Sequence, residues 1–424
     1  MSRPVLGGDR GCLCVNAVDG RSDIAESVGR YHPRAAARDR RGAGGALHTL
    51  TPSRGHANEL GARPAPPLST LTTLRLGGAP DRYVKLTADR DIVAAAELAD
   101  SAGEPVLVLG GGSNVVVGDD GPAASVLHIC TRGIDRSAQD PRRVVLRVAA
   151  GERWDDLVAL AVQSGWSGVE ALSGIPGTVG ATPIQNVGAY GQAIEQTILS
   201  VEVYDRIQGC TRTLRTGECR FGYRSSLFKL VPGRYLILSV TLGFVRSFLS
   251  KPVTNPELCR ALGVQRGAYA PLGAVREAVI TLRRGKGMVL DARDHDTWSV
   301  GSFFKNPLLP PGQFAQLRRL AAERLGTTEL PYEETDTGLF KPAAAWLIEQ
   351  AGFPKGYPLQ HDPDATASVS TKHTLALTNR GAATTSQLLH LAGEIAARVR
   401  QVFHVQLEPE PSFAGVDWHH SDSE

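Results

Sequence analysis

The chain lacks the features that would place it in several large classes. No stretch approaches the ~18 uninterrupted apolar residues a membrane span requires, which excludes a helical integral membrane protein. Six cysteines in 424 residues are too few for a disulfide framework. A large excess of one charge is lacking as well, and the formal net charge of +3 is unevenly held. Residues 1–66 carry ten arginines, no lysine and six acids, a net of +4, which leaves −1 for the remainder. A balanced body argues against a nucleic-acid binder, so any anionic ligand must be held by placed groups and not by a broad field.

What is present suits a globular chain with a real core: 42% of residues are hydrophobic and 21% charged. The length corresponds to roughly two to three domains. Glycine (46) and proline (26) are plentiful, though below the level of disordered or collagen-like sequences. Residues 1–66 have no helical or strand period and cluster Arg, Ala, Gly and Asp, as in Arg38-Asp39-Arg40-Arg41-Gly42-Ala43. Such a segment buries too little apolar surface to offset its ordering entropy and is expected to be a disordered tail. An upstream mis-assigned start codon would also explain it. Asp9, Asn16 and Asp19 break its only apolar stretch, so no export signal is read, and Cys12-x-Cys14 lacks the partners of a zinc site.

Order is expected after Pro64-Ala65-Pro66-Pro67. The pattern predicts a helix from Asp89, as cap, to Gly103, with Ile92, Ala95, Ala96 and Ala99 on one face. Val106–Leu109 reads as a short buried strand, and 154–164 as a helix with Leu157, Leu160 and Ala161 inward. Strands are expected at 144–149, 200–205 and 235–245, and a late helix at 386–403 with Leu388, Leu391, Ile395, Val399 and Val402 inward. The chain is therefore of mixed helix and strand, an α+β fold.

Two glycine-rich stretches carry the first chemical signal. Leu109-Gly110-Gly111-Gly112-Ser113-Asn114 follows a strand; a plain tight turn is one reading, and a phosphate loop, in which glycines let backbone N–H groups approach the anion, is the one favoured. It is not a dinucleotide fingerprint, because the spacing is wrong and Val115-Val116-Val117 continues as strand. The second runs Ser173-Gly174-Ile175-Pro176-Gly177-Thr178-Val179-Gly180-Ala181-Thr182-Pro183-Ile184-Gln185-Asn186-Val187-Gly188-Ala189-Tyr190-Gly191. A loop this long inside a compact domain is usually functional, and its Ile, Val and Tyr argue for a small-molecule cradle over a polar linker.

Together these stretches resemble the flavin-binding loops of the UDP-N-acetylenolpyruvoylglucosamine reductases. Three further blocks agree in order: Tyr223-Arg224-Ser225-Ser226-Leu227-Phe228-Lys229, Gly301-Ser302-Phe303-Phe304-Lys305-Asn306-Pro307 and Leu407-Glu408-Pro409-Glu410. The likeness covers about residues 67–413. It implies an FAD-binding domain of the vanillyl-alcohol-oxidase (PCMH) type at 67–246, a smaller α+β substrate-binding domain at 247–405, and a returning strand at 406–424 that carries the catalytic glutamate. It also implies FAD in the two loops: Gly110, Gly111, Gly112, Ser113 and Asn114 in the first, and Ser173, Gly174, Ile175, Pro176, Gly177, Gly180, Ala181, Gln185, Asn186, Gly188, Ala189, Tyr190 and Gly191 in the second. NADPH is the implied reductant and UDP-N-acetylglucosamine enolpyruvate the implied substrate, in a cytoplasmic monomer that binds neither nucleic acid nor membrane. No metal is expected.

By the same resemblance Arg224 polarises the enolpyruvyl group, Ser302 donates a proton, and Glu410, rather than Glu408, is the catalytic carboxylate. No G-x-S-x-G elbow surrounds Ser302, so a hydrolase nucleophile is not supported. Glu408 and Glu410, two apart on an extended segment, are expected to point the same way. Tyr223, Lys229, Arg283, Lys286, Asn306 and Gln350 fall on the substrate side, Arg283 and Lys286 towards its diphosphate, and Lys305 supports the site beside Asn306. One departure stands out. Relatives with a longer substrate-domain insert carry a lid tyrosine, where this chain reads Pro252-Val253-Thr254-Asn255-Pro256; Asn255 takes the position and Tyr269 lies off register. Two rivals differ in single features. A flavin oxidase of this fold would tether its cofactor through a His or Cys in the glycine loops, and neither residue occurs there; a non-catalytic binder would lose Arg224, Ser302 or Glu410, and all three are present.

Overall fold

The computed structural model describes residues 65–136, 140–326 and 329–418; the expectations for the tail up to residue 64, Cys12 and Cys14 included, lie outside them. Strands Arg82–Leu86, Ser125–Ile129 and Val106–Leu109 form a parallel three-stranded sheet with Ser125–Ile129 in the centre. Parallel pairing needs a crossover, and helix Asp89–Ala102 supplies one, burying Ile92, Ala96 and Ala99 and stopping at left-handed Gly103. Ala88, not Asp89, is the N-cap: Ala88 is extended and its carbonyl accepts from Asp91 and Ile92 N–H, while Asp89 is already helical and its carboxylate meets Arg147. The strand Val106–Leu109 is also less buried than its sequence suggests. It lies at the sheet edge, so only Leu109 is enclosed and Val108 remains exposed.

A second, antiparallel sheet runs in the order Cys210–Arg215, Ile198–Asp205, Tyr235–Arg246, Arg143–Ala149, Ile134–Arg136. Helix Trp154–Gln163 shares its core, burying Trp154, Leu157, Val158 and Ala161. That i, i+3, i+4, i+7 stripe leaves Leu160 off the buried face, and it is exposed instead of inward.

Helices Pro256–Leu262 and Leu272–Gly285 build a small core from Val253, Leu258, Val275 and Val279, which closes on Ala171 and Tyr190 of the glycine-rich region. The third core surrounds helix Thr385–Phe403, whose capping box of Thr384 and Gln387 fixes its start. Leu388, Leu391, Ile395, Val399 and Val402 point into it as the periodicity requires, against Phe303, Phe304 and Leu347. Leu74, Leu76 and Val116 from the early chain complete this core. Strand Ser412–Ala414 then pairs in parallel with Val115–Val117, Ser412 opposite Val115, which returns the end of the chain to the first glycine loop. Among the described residues no helix is long and apolar enough to cross a membrane, and no His/Cys/Asp/Glu group could hold a metal ion.

Candidate active site

The two glycine stretches meet backbone to backbone. A Cβ on Gly111 would lie 2.7 Å from the Gly177 Cα, so neither loop can carry a side chain where they touch. The Ser113 hydroxyl donates to the Pro176 carbonyl (3.2 Å), and Asn114 Nδ2 donates to Gln185 Oε1 (2.7 Å). Gly112, with φ +61° and buried, turns the first loop. Its N–H and those of Gly111, Ser113, Ile175 and Gly177 find no acceptor among the described residues. Amide donors left free on two touching glycine loops suit phosphate oxygens, and they are the observation against which a dinucleotide cofactor fits.

Other residues of the second loop hold its shape. Gly174 N–H donates to Asp155 Oδ1 (2.6 Å), Ser173 Oγ to the Glu170 carbonyl (2.7 Å) and Gly180 N–H to the Ala150 carbonyl (2.8 Å). Ala181 N–H closes a turn on Thr178. Asn186, left-handed and buried, donates to the Gly222 carbonyl (3.1 Å), tying the loop to the block that carries Arg224. Gly188 and Ala189 form a hairpin with Gln192 and Ala193 that is turned by Tyr190 and Gly191.

Arg224 also sits in a left-handed conformation, φ +52°. Its Nη2 donates to the Gly188 carbonyl (2.9 Å), and its Nε lies 3.1 Å from Glu410 Oε1. The second contact is one of charge: the Nε–H is not aligned on that oxygen. Glu410 arrives through the returning segment, its N–H on the Phe303 carbonyl (2.8 Å) just ahead of strand Ser412–Ala414. Burial raises its pKa, while Arg224, Lys229 and Lys305 pull it down. Lys229 Nζ donates to the Glu410 main-chain carbonyl (3.2 Å), and burial with the nearby Lys305 lowers its own pKa. Glu408 and Glu410 do not share an environment: Glu408 is an exposed partner of Lys305 at 2.7 Å, whereas Glu410 is enclosed. Ser302 precedes Phe303, whose carbonyl anchors Glu410, and its hydroxyl has no hydrogen bond among the described residues.

The substrate-side candidates divide into two groups. Tyr223 stacks beside Arg224 (5.9 Å) and under Lys341 (4.8 Å), and the Asn306 main chain faces its hydroxyl. The Asn306 side chain accepts from Ala344 N–H (3.0 Å) at the start of helix Ala344–Gln350, whose last residue, Gln350, is exposed. The other group lies at the end of helix Leu272–Gly285. Arg283 Nη2 donates to the Met288 carbonyl (2.7 Å), its enclosed Nε has no acceptor, and burial pulls its pKa down to about 10. Lys286 pairs with Glu257 and sits 5.5 Å over the Tyr190 ring. Asn255 is a helix cap, its Oδ1 accepting from Leu258 N–H (3.0 Å), so that side chain is committed, and Tyr269 is exposed. Sequence reasoning missed Asp155, which holds Gly174 and grips Arg276 with both oxygens (2.7 and 2.9 Å). Nothing local separates it from Asp156, since both are first-turn acids.

Comparison with known proteins agrees with this geometry. Residues 80–215 match the FAD binding domain family, and residues 293–414 match the C-terminal domain of UDP-N-acetylenolpyruvoylglucosamine reductase. Cradle and fold thus define an FAD-dependent oxidoreductase. The UDP-N-acetylenolpyruvoylglucosamine reductase of Thermobifida fusca is 50% identical over 352 residues, covering 82% of this chain and 97% of that protein; the Streptomyces coelicolor enzyme of the same name is also 50% identical, covering 82% and 89%. The crystal structure of the Thermus caldophilus reductase superposes with a TM-score of 0.53 at 22% identity over 82% of this chain and 97% of that one, a likeness of fold. The chain belongs to the UDP-N-acetylenolpyruvoylglucosamine reductase family.

Proposed function

We propose that the protein reduces UDP-N-acetylglucosamine enolpyruvate to UDP-N-acetylmuramate, with NADPH as reductant, in the synthesis of peptidoglycan precursors. The observation that carries this reading is the enclosed Arg224–Glu410 pair, assembled from distant parts of the chain beside the Ser302 segment and the glycine cradle. Bound FAD would supply the redox chemistry, hydride transfer between NADPH and the vinyl group of the substrate. The free amides of Gly111, Gly112, Ser113, Ile175 and Gly177 would hold its phosphates, with the rest of both loops enclosing it.

As the hydride adds, negative charge spreads into the substrate carboxylate. The Arg224 guanidinium, anchored by Gly188, offers a planar fork to that carboxylate. Glu410 fixes the orientation of the fork, and Lys229 and Lys305 add positive potential around it. The Ser302 hydroxyl, uncommitted to any other group, donates its proton to the carbon next to the carboxylate and completes the lactyl ether. Arg283 and Lys286 would hold the diphosphate, while Tyr223, Asn306 and Gln350 would meet other parts of the substrate. In this reading 67–246 is the flavin domain, 247–405 the substrate domain and 406–424 the returning segment, in a cytoplasmic monomer.

Anaerobic visible absorption tests the proposal. The yellow band of the purified protein is expected to bleach with NADPH and return on addition of UDP-N-acetylglucosamine enolpyruvate. Recovery only in air would indicate an oxidase, and a colourless protein a binding role.

A further inference from the structure

Between the first glycine loop and the Ser302 segment lies residue 73, part of neither. Thr73 is buried, and its N–H donates to the Gly112 carbonyl (3.0 Å), the carbonyl of the residue that turns the cradle. Its hydroxyl lies 2.7 Å from the Ser299 carbonyl and 3.4 Å from Gly112 O. A hydroxyl has one proton to give, and the shorter contact takes it. From Ser299 the connection continues inside the loop, because Gly301 N–H donates to Ser299 Oγ (3.2 Å) and Gly301 turns the backbone at φ +76° directly before Ser302. Thr73 is held from its other side as well, since Asn379 Nδ2 donates to the carbonyls of Leu74 and Arg75 (both 3.2 Å). The segment is thus tied on three sides, to Gly112, to Ser299 and to Asn379.

We propose that Thr73 is a positioning residue that registers Ser302 against the flavin cradle: its amide fixes the cradle turn and its hydroxyl fixes the serine loop, so the proton donor is set at a defined place relative to the carbon it serves. This rests on the reading of Ser302 as proton donor. Without the Thr73 hydroxyl the Gly112 tether survives, and only the Ser299 tether is lost. Reduction of the cofactor, which does not involve Ser302, is untouched, while the step that consumes the proton is slowed.

The test is anaerobic stopped-flow measurement of the two half-reactions on the FAD-loaded full chain, for wild type, Thr73→Val, Thr73→Ser and Ser302→Ala. Thr73→Val keeps the shape and the amide, and is expected to leave bleaching by NADPH and FAD affinity unchanged. It should slow enolpyruvyl reduction about three- to tenfold, the worth of one hydrogen bond, and enlarge the solvent deuterium isotope effect on that step. Thr73→Ser, which restores the hydroxyl, should return both to wild type. If Ser302→Ala slows enolpyruvyl reduction but Thr73→Val changes neither half-reaction, or both equally, the positioning role is overturned and the proton-donor reading stands. If Ser302→Ala leaves enolpyruvyl reduction at the wild-type rate, the proton-donor reading falls and takes this inference with it.

Discussion

Glu410 is a carboxylate drawn two ways: enclosure disfavours its charge, and three cations around it favour that charge, with the raised pKa marking enclosure as the stronger. Arg224, 3.1 Å away, is the largest of the three favourable charges, so removing it leaves the enclosed carboxylate with its main partner gone. Glu410→Gln retains the shape and removes the charge that orients the fork. The expected result is a loss of about a hundredfold in enolpyruvyl reduction, the scale of one preorganised electrostatic contact, with bleaching by NADPH intact; stopped-flow rates of the two steps decide it. His373 presents the opposite case. Burial, followed by the cations Lys286, Lys355 and Arg283 against the single acid Glu257, holds its pKa at about 4. In the unfolded chain an imidazole titrates near ~6.5, so between these values the unfolded state binds more protons and stability falls as pH falls. The difference in denaturant midpoint between wild type and His373→Gln should therefore shift in favour of the variant as pH drops from 7 towards 4.5, and stay constant above 7.

At the scale of elements, the glycine loops work because two backbones touch. Alanine at position 111 would put a methyl 2.7 Å from the Gly177 Cα, where no flexible side chain can give way. Gly111→Ala is expected to part the loops, cost about 1–3 kcal/mol of stability by overpacking and weaken FAD retention at least tenfold, read from flavin fluorescence on dilution. That the two glycine stretches belong together was legible in the sequence, through their joint resemblance to a family's paired loops, whereas the first stretch alone also reads as a tight turn. So was helix Thr385–Phe403, whose apolar stripe follows its period without a gap. Contacts made across long sequence distances were not legible. The stripe of helix Trp154–Gln163 uses Val158 and not Leu160, because the sheet above it decides which side is covered. Asp89 is one residue inside the helix, where its carboxylate meets Arg147 of another strand and not the helix's own N–H groups. Asn255 read as the substitute for a lid aromatic, yet the proline after it makes it the first cap of a helix. Asp155 and Thr73 gave no local signal at all, since each acts through a loop remote in the sequence.

For the molecule as a whole, the site exists only if the segment 385–414 closes onto residues 115–119. Three contacts do this at one place: strand Ser412–Ala414 on Val115–Val117, Thr385 Oγ1 on the Val117 carbonyl (2.6 Å), and the Asp119 carboxylate on the first turn of helix Thr385–Phe403. Asp119 accepts from Thr385 N–H (2.6 Å), Ser386 N–H (3.0 Å) and Ser386 Oγ (2.9 Å), so it serves as a cap donated by the flavin-side loop to the helix that centres the third core. Its pKa is lowered: burial opposes the charge, but the hydrogen bonds from Thr385 and Ser386 outweigh it. A depressed carboxylate stabilises the fold above its unfolded pKa, and that stabilisation is lost as pH falls through the folded value. Asp119→Ala should accordingly cost about 1 kcal/mol at pH 7, the usual worth of a helix cap, and progressively less below the ordinary carboxylate range. Because the same closure carries Glu410 to Arg224, the variant should also lose enolpyruvyl reduction at denaturant concentrations where NADPH still bleaches the flavin. Chemical denaturation at pH 7 and pH 3, followed by both half-reactions, measures this, and simultaneous loss of the two activities would show that the molecule opens as one unit and not at the seam.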